Sequence, residues 1–365
     1  MRLNLYKLFV IPFILLLSAE SQGQGQFFDD FNVMINKQYG YNLPEYPLFH
    51  NIINDYVSSF DVTLYKETLG NNLWEQIYNY PDYGVSFFYS TLGNNEILGE
   101  EYAILAFFRL YFLSIHKAGF YNHIGLGVGY TTKKYDQNSN YLNVAVASHF
   151  NIHFNYRLGA NIQMSEKFKL NAGLAFDHFS NANTVEPNLG VNYVTLYGGV
   201  GYLIGKNNPK KTSEIKPHKK KNRYSIFASI GGKRTRSLAL DYFLASSLSF
   251  ELTREFWRKF HMGVGADIFY DSSIEHDFLD DGRDFKPQDS YQTGIHFTLR
   301  MVYNKLSLAL QHGYYLGLTE KRNNYKFYNR GMIQYQLINH LAIRLTMKSH
   351  LHILDFPEIG IGYHL

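Results

Sequence analysis

The sequence predicts an all-β protein, a membrane-spanning antiparallel up-and-down β-barrel. Apolar and polar residues alternate with a period of two along most of the chain from about residue 55 onward. Aromatic residues make up 17% of the chain, with 31 Tyr and 29 Phe but only 2 Trp, and the mean hydropathy is slightly negative. Strands with one apolar and one polar face, and with tyrosine at the membrane interfaces, produce this combination.

The chain begins with a segment typical of exported proteins. Arg2 and Lys7 precede the apolar stretch LFVIPFILLL, and small residues place a cleavage site after Gly23, which predicts a signal peptide over residues 1–23. This stretch is too short to span a bilayer, and a signal anchor is the alternative. No later segment approaches the length of a transmembrane helix, so a membrane-bound mature chain is expected to cross as a barrel. The chain has no cysteine, which excludes disulfides, thiolate metal sites and a lipoprotein anchor.

The strands follow from the alternation. In NIHFNYRLGANI, for example, Ile152, Phe154 and Tyr156 share one face and His153 and Asn155 share the other. The strands run to about ten residues or more, the length that a tilted membrane strand needs. The predicted strands lie near residues 31–40, 55–66, 83–93, 101–115, 120–133, 150–163, 167–180 and 192–204, then 223–234, 242–255, 260–271, 291–303, 306–317, 327–338, 341–350 and 357–365.

The connections between strands support a barrel. The links HKAG, MSEK, FWRK, YNK and INH are tight, whereas residues 134–149, 181–191 and 272–290 form long polar loops. Outer-membrane barrels have short periplasmic turns, long external loops and periplasmic termini, and each tight link falls on the periplasmic side. The exception is the long segment 67–82 with Trp74, which predicts either a short periplasmic helix or an incorrect first strand.

The lysine- and proline-containing stretch KNNPKKTSEIKPHKKKN predicts a periplasmic linker over residues 206–222. It divides the chain into residues 24–205 and 223–365. Its length favours two tandem eight-stranded barrels over a single sixteen-stranded barrel. An eight-stranded barrel is filled by its own side chains, whereas sixteen strands leave a water channel. The basic residues could bind anionic head groups, although a solvated linker is the simpler interpretation.

The stretch DHFSNANTVEPNLGVN, residues 177–192, contains the candidate chemistry. The alternation places His178 and Ser180 on the apolar face of one strand and Asn192 on the apolar face of the next. A base, a hydroxyl and an amide therefore meet at the external end of two neighbouring strands, facing lipid. Polar groups on a lipid-facing surface are costly, which favours a functional site. The alternative is a rim position that head groups hydrate.

The segment HFSNANTVEPNLGVN resembles the signature of the lipid A 3-O-deacylases of the PagL type and of the related outer-membrane acyloxyacyl hydrolases. Those families show His-x-Ser-Asn followed by Pro-Asn-x-Gly on an eight-stranded barrel. The resemblance covers about residues 55–205 and is most specific over 142–204. No motif extends it into the second half.

The resemblance implies roles for individual residues. Ser180 is the nucleophile and His178 its general base. Asn181 and Asn188 match the asparagines of the family, and Asn188 is a candidate oxyanion donor. Gly190 allows the turn that returns the chain to the membrane.

The sequence departs from the family at the third member of the triad. The PagL type has a glutamate where this chain has Asn192. Asparagine can orient a histidine but supplies no charge. Glu186 is the alternative acid if the loop folds back, whereas Asp177 lies on the opposite strand face. A weak or inactive site is the third possibility.

The resulting hypothesis is a serine ester hydrolase of the cell outer membrane that removes an acyl chain from lipid A of lipopolysaccharide. Its partners would be this substrate and the membrane lipid, with no nucleic acid, metal or organic cofactor. The alternative is a non-catalytic barrel, either a pore or a structural surface protein. The cleaved ester, 3-O-linked or acyloxyacyl, the role of residues 223–365 and the oligomeric state stay open.

Three weaker features complete the sequence. The acidic loop DSSIEHDFLDDGRDFKPQDS could bind a divalent cation but lacks calcium-loop spacing, so we expect a solvated loop. Histidines 149, 153, 296 and 312 are expected to fill the barrels from polar strand faces. The glycines of GLGVGY fit a barrel wall better than a nucleotide site.

Overall fold

The computed structural model contains two closed antiparallel barrels of eight strands each. It describes residues 31–44, 47–182, 184–206, 208–215, 220–233, 242–316, 325–350 and 353–365. The first barrel closes by pairing of its first and eighth strands, and the second closes by pairing of its last and first. The prediction of two barrels is thus confirmed, and the alternative of a single sixteen-stranded barrel is wrong. Within the described ranges, no helix is long and apolar enough to cross a membrane.

The first barrel follows the predicted strands closely, because each strand keeps one polar and one apolar face. Its buried positions alternate with exposed ones along most of every strand. The strands are β1 (Phe31–Asn42), β2 (Val57–Glu67), β3 (Asp82–Thr91), β4 (Glu100–Ile115), β5 (Ala118–Thr131), β6 (Phe150–Gln163), β7 (Phe168–Ser180) and β8 (Val191–Leu203).

The second barrel also matches, except at its last strand. That strand starts at residue 353, earlier than predicted from Pro357. Proline is tolerated there because pairing with the first strand of this barrel begins only at Glu358, so its missing N–H breaks no hydrogen bond on that side. The strands are β9 (Asn222–Lys233), β10 (Phe243–Trp257), β11 (Phe260–Asp271), β12 (Tyr291–Tyr303), β13 (Leu306–Leu316), β14 (Phe327–Gln336), β15 (Leu341–His350) and β16 (Ile353–His364).

Among the described residues, the helices are short and lie in the connections between strands. Helix α1 (Pro47–Ile52) lies between β1 and β2, and α2 (Leu73–Ile77) lies in the long segment between β2 and β3. The strand β1 is also present, so a short helix explains that segment. The acidic loop of the second barrel contains α3 (Ser273–Asp280) and a 3-10 turn at Pro287–Ser290.

Polar side chains fill the interior of the first barrel. The Asp61 carboxylate lies 2.9 Å from a guanidinium nitrogen of Arg157. The ring nitrogens of His153 lie 2.8 Å from Glu101 and 2.9 Å from Asp177. Each of these side chains is almost fully buried. Buried charges are tolerated because each has a partner of opposite charge.

The interior of the second barrel is filled in the same way. Arg330 lies 2.9 Å from Asp267 and 2.8 Å from Glu358. His296 and the hydroxyl of Tyr328 both bond the second oxygen of Asp267, at 2.7 and 2.6 Å. These side chains occupy the space that a pore would need, which argues against the pore alternative.

A hydrophobic core lies at the end of the first barrel that carries its long loops. Residues from three loops and from the strands pack together there. The core also includes Phe179 and Val191, the neighbours in sequence of the candidate site. Its members are Phe49, Ile52, Val57, Phe88, Leu92, Leu98, Ala103, Leu105, Ala145, Val146, Phe179, Val191 and Tyr193.

The histidine predictions are partly wrong. His153 and His296 are buried inside the barrels, as expected. His149 is half-buried at the rim, where its ring stacks on Tyr130. His312 is exposed on the outer wall, because it shares the apolar face of β13 with Leu310 and not the polar face.

The predicted signal peptide and the predicted linker are the two segments outside the barrels. The signal peptide, residues 1–23, lies outside the described residues. Part of the predicted linker contacts the first barrel on the side of α2. The backbone N–H of Lys211 donates to the carbonyl of Leu69 at 2.7 Å, and the hydroxyl of Tyr80 donates to the carbonyl of Lys211 at 3.0 Å.

Candidate active site

The outer wall at the long-loop end of β7 and β8 carries the three predicted site residues. Phe179 is 0% exposed inside the barrel, whereas Leu174 on the other face is 50% exposed. His178 and Ser180 lie on the face of Leu174, and Asn192 lies directly opposite His178 on β8. The strand faces therefore agree with the predicted positions of the three side chains.

The three side chains form one hydrogen-bonded chain. His178 Nδ1 lies 2.6 Å from Oδ1 of Asn192, and His178 Nε2 lies 3.1 Å from Oγ of Ser180. All three residues are half-buried. The distances fall within the range that a nucleophile and its general base require.

The amide of Asn192 selects one tautomer of His178. An amide oxygen accepts hydrogen bonds but cannot donate them, so Nδ1 of His178 carries the proton. Nε2 is then left with a lone pair facing the hydroxyl of Ser180. This is the tautomer in which the imidazole can remove the serine proton.

The loop after β7 is closed by its own asparagines. The backbone N–H of Asn181 donates to Oδ1 of Asn188 at 2.9 Å. Ala182 adopts a positive φ of 55°, a conformation that non-glycine residues rarely adopt outside tight turns. The chain therefore turns sharply immediately after Ser180.

Gly190 packs directly against the imidazole of His178. Its φ is +73°, and a β-carbon at this position would lie 3.0 Å from Cε1 of His178. A side chain there would be strained and would press on the ring. The sequence predicted a glycine here only for the turn, whereas the structure adds a second reason, the close approach to His178.

The loop between β5 and β6 braces the site loop. The N–H groups of Leu189 and Gly190 donate to the carbonyls of Val144 and Ala145, at 3.2 and 2.9 Å. The side-chain amide of Asn143, in the same loop, donates to the carbonyl of Ile97 at 2.9 Å and so ties this loop to the one between β3 and β4. Sequence reasoning missed these residues, because backbone contacts between distant loops leave no motif.

These contacts narrow the choice of oxyanion donors. The backbone N–H groups of Asn181, Leu189 and Gly190 already have protein acceptors. The side-chain amide of Asn188, which the family resemblance suggests as the oxyanion donor, therefore stays the candidate.

Of the two other candidate acids, one lies on the site loop and the other lies inside the barrel. Glu186 is exposed on the site loop, and both ring nitrogens of His178 already have the partners described above. Asp177 points into the barrel and accepts hydrogen bonds from His153 and Asn155, at 2.9 and 2.7 Å. Its position on the opposite face agrees with the prediction.

Two family models match the chain. The model described as lipid A 3-O-deacylase (PagL) matches residues 59–201. The model described as acyloxyacyl hydrolase, C-terminal domain, matches residues 222–365. The chain belongs to the PagL-type lipid A deacylase and acyloxyacyl hydrolase family. The second match extends the assignment to the half in which the sequence offered no recognisable motif.

Solved outer-membrane proteins are similar to this family member at low identity. Neisserial surface protein A is 14% identical, with a TM-score of 0.32, and the match covers 48% of this chain and 97% of that protein. Omp33 of Acinetobacter baumannii is 11% identical, with a TM-score of 0.16 and coverages of 92% and 97%. OccK11 (OpdR) of Pseudomonas aeruginosa is 10% identical, with a TM-score of 0.22 and coverages of 92% and 95%. No curated protein matches the sequence of this PagL-type chain.

Proposed function

We propose that this PagL-type lipid A deacylase is a serine ester hydrolase that uses Ser180, His178 and Asn192. The observation that carries the proposal is the unbroken hydrogen-bond chain from Asn192 through His178 to Ser180. The substrate is an acyl ester of lipid A, held in the leaflet that the long-loop end of the first barrel faces.

In the first half of the reaction, Nε2 of His178 takes the proton of Ser180 as Oγ attacks the ester carbonyl. The side-chain amide of Asn188 stabilises the oxyanion of the tetrahedral intermediate. Collapse of the intermediate breaks the ester bond, and His178 returns the proton to the leaving hydroxyl. Ser180 then carries the acyl group.

In the second half, His178 removes a proton from water, and the resulting hydroxide attacks the acyl-serine. The fatty acid leaves, and the proton restores Ser180. Asn192 keeps the imidazole in the reactive tautomer throughout but adds no negative charge. We therefore expect a slower enzyme than one with a carboxylate at this position.

The test compares lipid A from cells that express the wild-type chain and Ser180→Ala, by mass spectrometry. We expect lipid A that lacks one acyl chain only with the wild type. The lost mass also identifies the cleaved ester. Identical profiles, with both proteins folded in the outer membrane, would contradict the proposal and favour a non-catalytic barrel.

A further inference from the structure

The outer wall of the second barrel carries a second histidine–asparagine pair. His312 of β13 lies directly opposite Asn329 of β14, and Nδ1 of His312 lies 2.8 Å from Oδ1 of Asn329. His312 is exposed on the apolar wall, and Asn329 is half-buried. An ionisable side chain on a lipid-facing wall is costly, so its presence there indicates a function.

One ring nitrogen of His312 is available to a ligand. Its Nδ1–H donates to Asn329, which leaves the lone pair on Nε2. Among the described residues, Nε2 has no hydrogen-bond partner. The ring stacks on Phe327 at 5.3 Å and 15°, which fixes its orientation. His312 can therefore accept a hydrogen bond from an O–H group at the wall.

An apolar groove of about 840 Å³ leads to this histidine, within the range of ligand sites. It crosses the outer wall from β9 to β14, along a row of paired residues that runs from Ser225 through Gly265 to Gly313. Outward side chains such as Phe250 and Val264 form its sides. Five strand spacings make it roughly 24 Å long, the scale of one extended long acyl chain.

The lining chemistry selects the occupant. None of the described residues that line the groove is Lys or Arg, so this part of the lining offers no cation to a phosphate head group. Its two buried ionisable residues, Glu251 and His296, point into the barrel and bond interior partners. The groove thus offers a long apolar surface, with the imidazole acceptor of His312 at its β13–β14 end.

We infer that this groove binds one long-chain fatty acid, with the carboxylic O–H donating to Nε2 of His312. The choice of a fatty acid rests on the proposed function, because ester hydrolysis releases one into the same membrane. Tyr314 occupies the position two residues after His312, where the first barrel has a serine two residues after His178. The second site therefore binds without cleaving.

The test uses the full-length chain in nanodiscs, with Ser180→Ala throughout so that no ester is turned over. Palmitic acid and its methyl ester, each with a photoreactive diazirine on the chain, are crosslinked, and the labelled residues are mapped by mass spectrometry. We expect labelling to concentrate on the groove and the acid to label more strongly than the ester. His312→Leu should reduce labelling by the acid about fivefold, the size of one net hydrogen bond, and leave labelling by the ester within about twofold.

A bulky substitution tests the groove itself. Val264 in the groove and Val128 on the wall of the first barrel are 59% and 57% exposed. Val264→Trp should reduce labelling several-fold and Val128→Trp should not. Ile295→Trp gives a second filled groove if the first variant fails to fold.

The inference is overturned if both outer walls are labelled equally, or if Val264→Trp and Ile295→Trp leave the labelling unchanged. It is also overturned if His312→Leu leaves labelling by the acid unchanged, since His312 then has no role in binding. Competition by phosphatidylglycerol as strong as that by unlabelled palmitate makes the occupant a phospholipid instead. Because no hydrolysis is needed, these outcomes are separate from the lipid A comparison that tests the proposed function.

Discussion

The two barrels carry the same histidine–asparagine pair on their outer walls. In the first, Nδ1 of His178 lies 2.6 Å from Oδ1 of its cross-strand partner Asn192. In the second, Nδ1 of His312 lies 2.8 Å from Oδ1 of its cross-strand partner Asn329. The difference lies in the surroundings. The first pair has a serine two residues on and a loop braced by backbone hydrogen bonds, whereas the second has Tyr314 and an apolar groove. The pair by itself is therefore a product of strand register, and we propose that its neighbours decide between cleavage and binding.

Removal of each histidine gives the largest expected contrast. We expect His178→Ala to lower the rate of acyl release by about 10³-fold or more, because the general base is lost. His312→Ala should leave that rate within about twofold. The measurement is fatty acid release from lipopolysaccharide by the purified enzyme. Equal losses in the two variants would mean that the second barrel takes part in hydrolysis.

The buried charges offer a second contrast, in stability. We expect Asp267→Asn to destabilise the second barrel by about 3 kcal/mol, because it leaves Arg330 and His296 without a shared buried carboxylate. The exposed control Asp281→Asn should cost less than about 0.5 kcal/mol, since its contact is a surface ion pair.

Unfolding is followed by heat-dependent gel mobility, together with the rate of acyl release. Because Asp267 lies in the second barrel and the candidate site lies in the first, we expect Asp267→Asn to keep the rate of acyl release within about twofold at a temperature where the protein is folded. A parallel loss of rate would show that the barrels depend on each other.

The asparagines provide the next contrast. Asn192→Ala should reduce acyl release by about 10²-fold, because the imidazole loses the partner that holds its orientation and tautomer. Asn329→Ala should change it less than about twofold. Asn192→Asp, which keeps an acceptor and adds charge, should be at least as active as the wild type. An Asn192→Asp variant as inactive as Asn192→Ala would show that this geometry does not tolerate a carboxylate.

Gly190 gives the smallest contrast. An alanine there is strained by about 1–2 kcal/mol at this positive φ, and its β-carbon would approach His178. We expect Gly190→Ala to lower the rate of acyl release about tenfold. Gly198→Ala on the following strand, β8, is the control, since its β-carbon would lie 3.9 Å from its nearest neighbour. Equal rates in the two variants would remove the constraint that we assign to Gly190.

Much of the fold could be predicted because strand alternation is a local signal. The period of two located the sixteen strands and missed mainly the start of β16. There Pro357 argues against a strand in the sequence, and residues before Glu358 do not pair with β9. The same alternation placed His178 and Ser180 on the outer face. His312 shows how a single error of parity changes a conclusion, because one step along a strand moves a side chain to the other face.

By itself, the sequence determined the strands, the outward face of the His-x-Ser motif and the family resemblance of the first half. Only the tertiary structure decided that the strands close into two barrels, that Asn192 meets Nδ1 of His178, and that residues 144–145 hold the site loop. It also brought His312 to Asn329 at the end of a groove. The reason is that strand faces depend on neighbouring residues, whereas closure, register and loop contacts depend on hydrogen bonds between segments far apart in the chain.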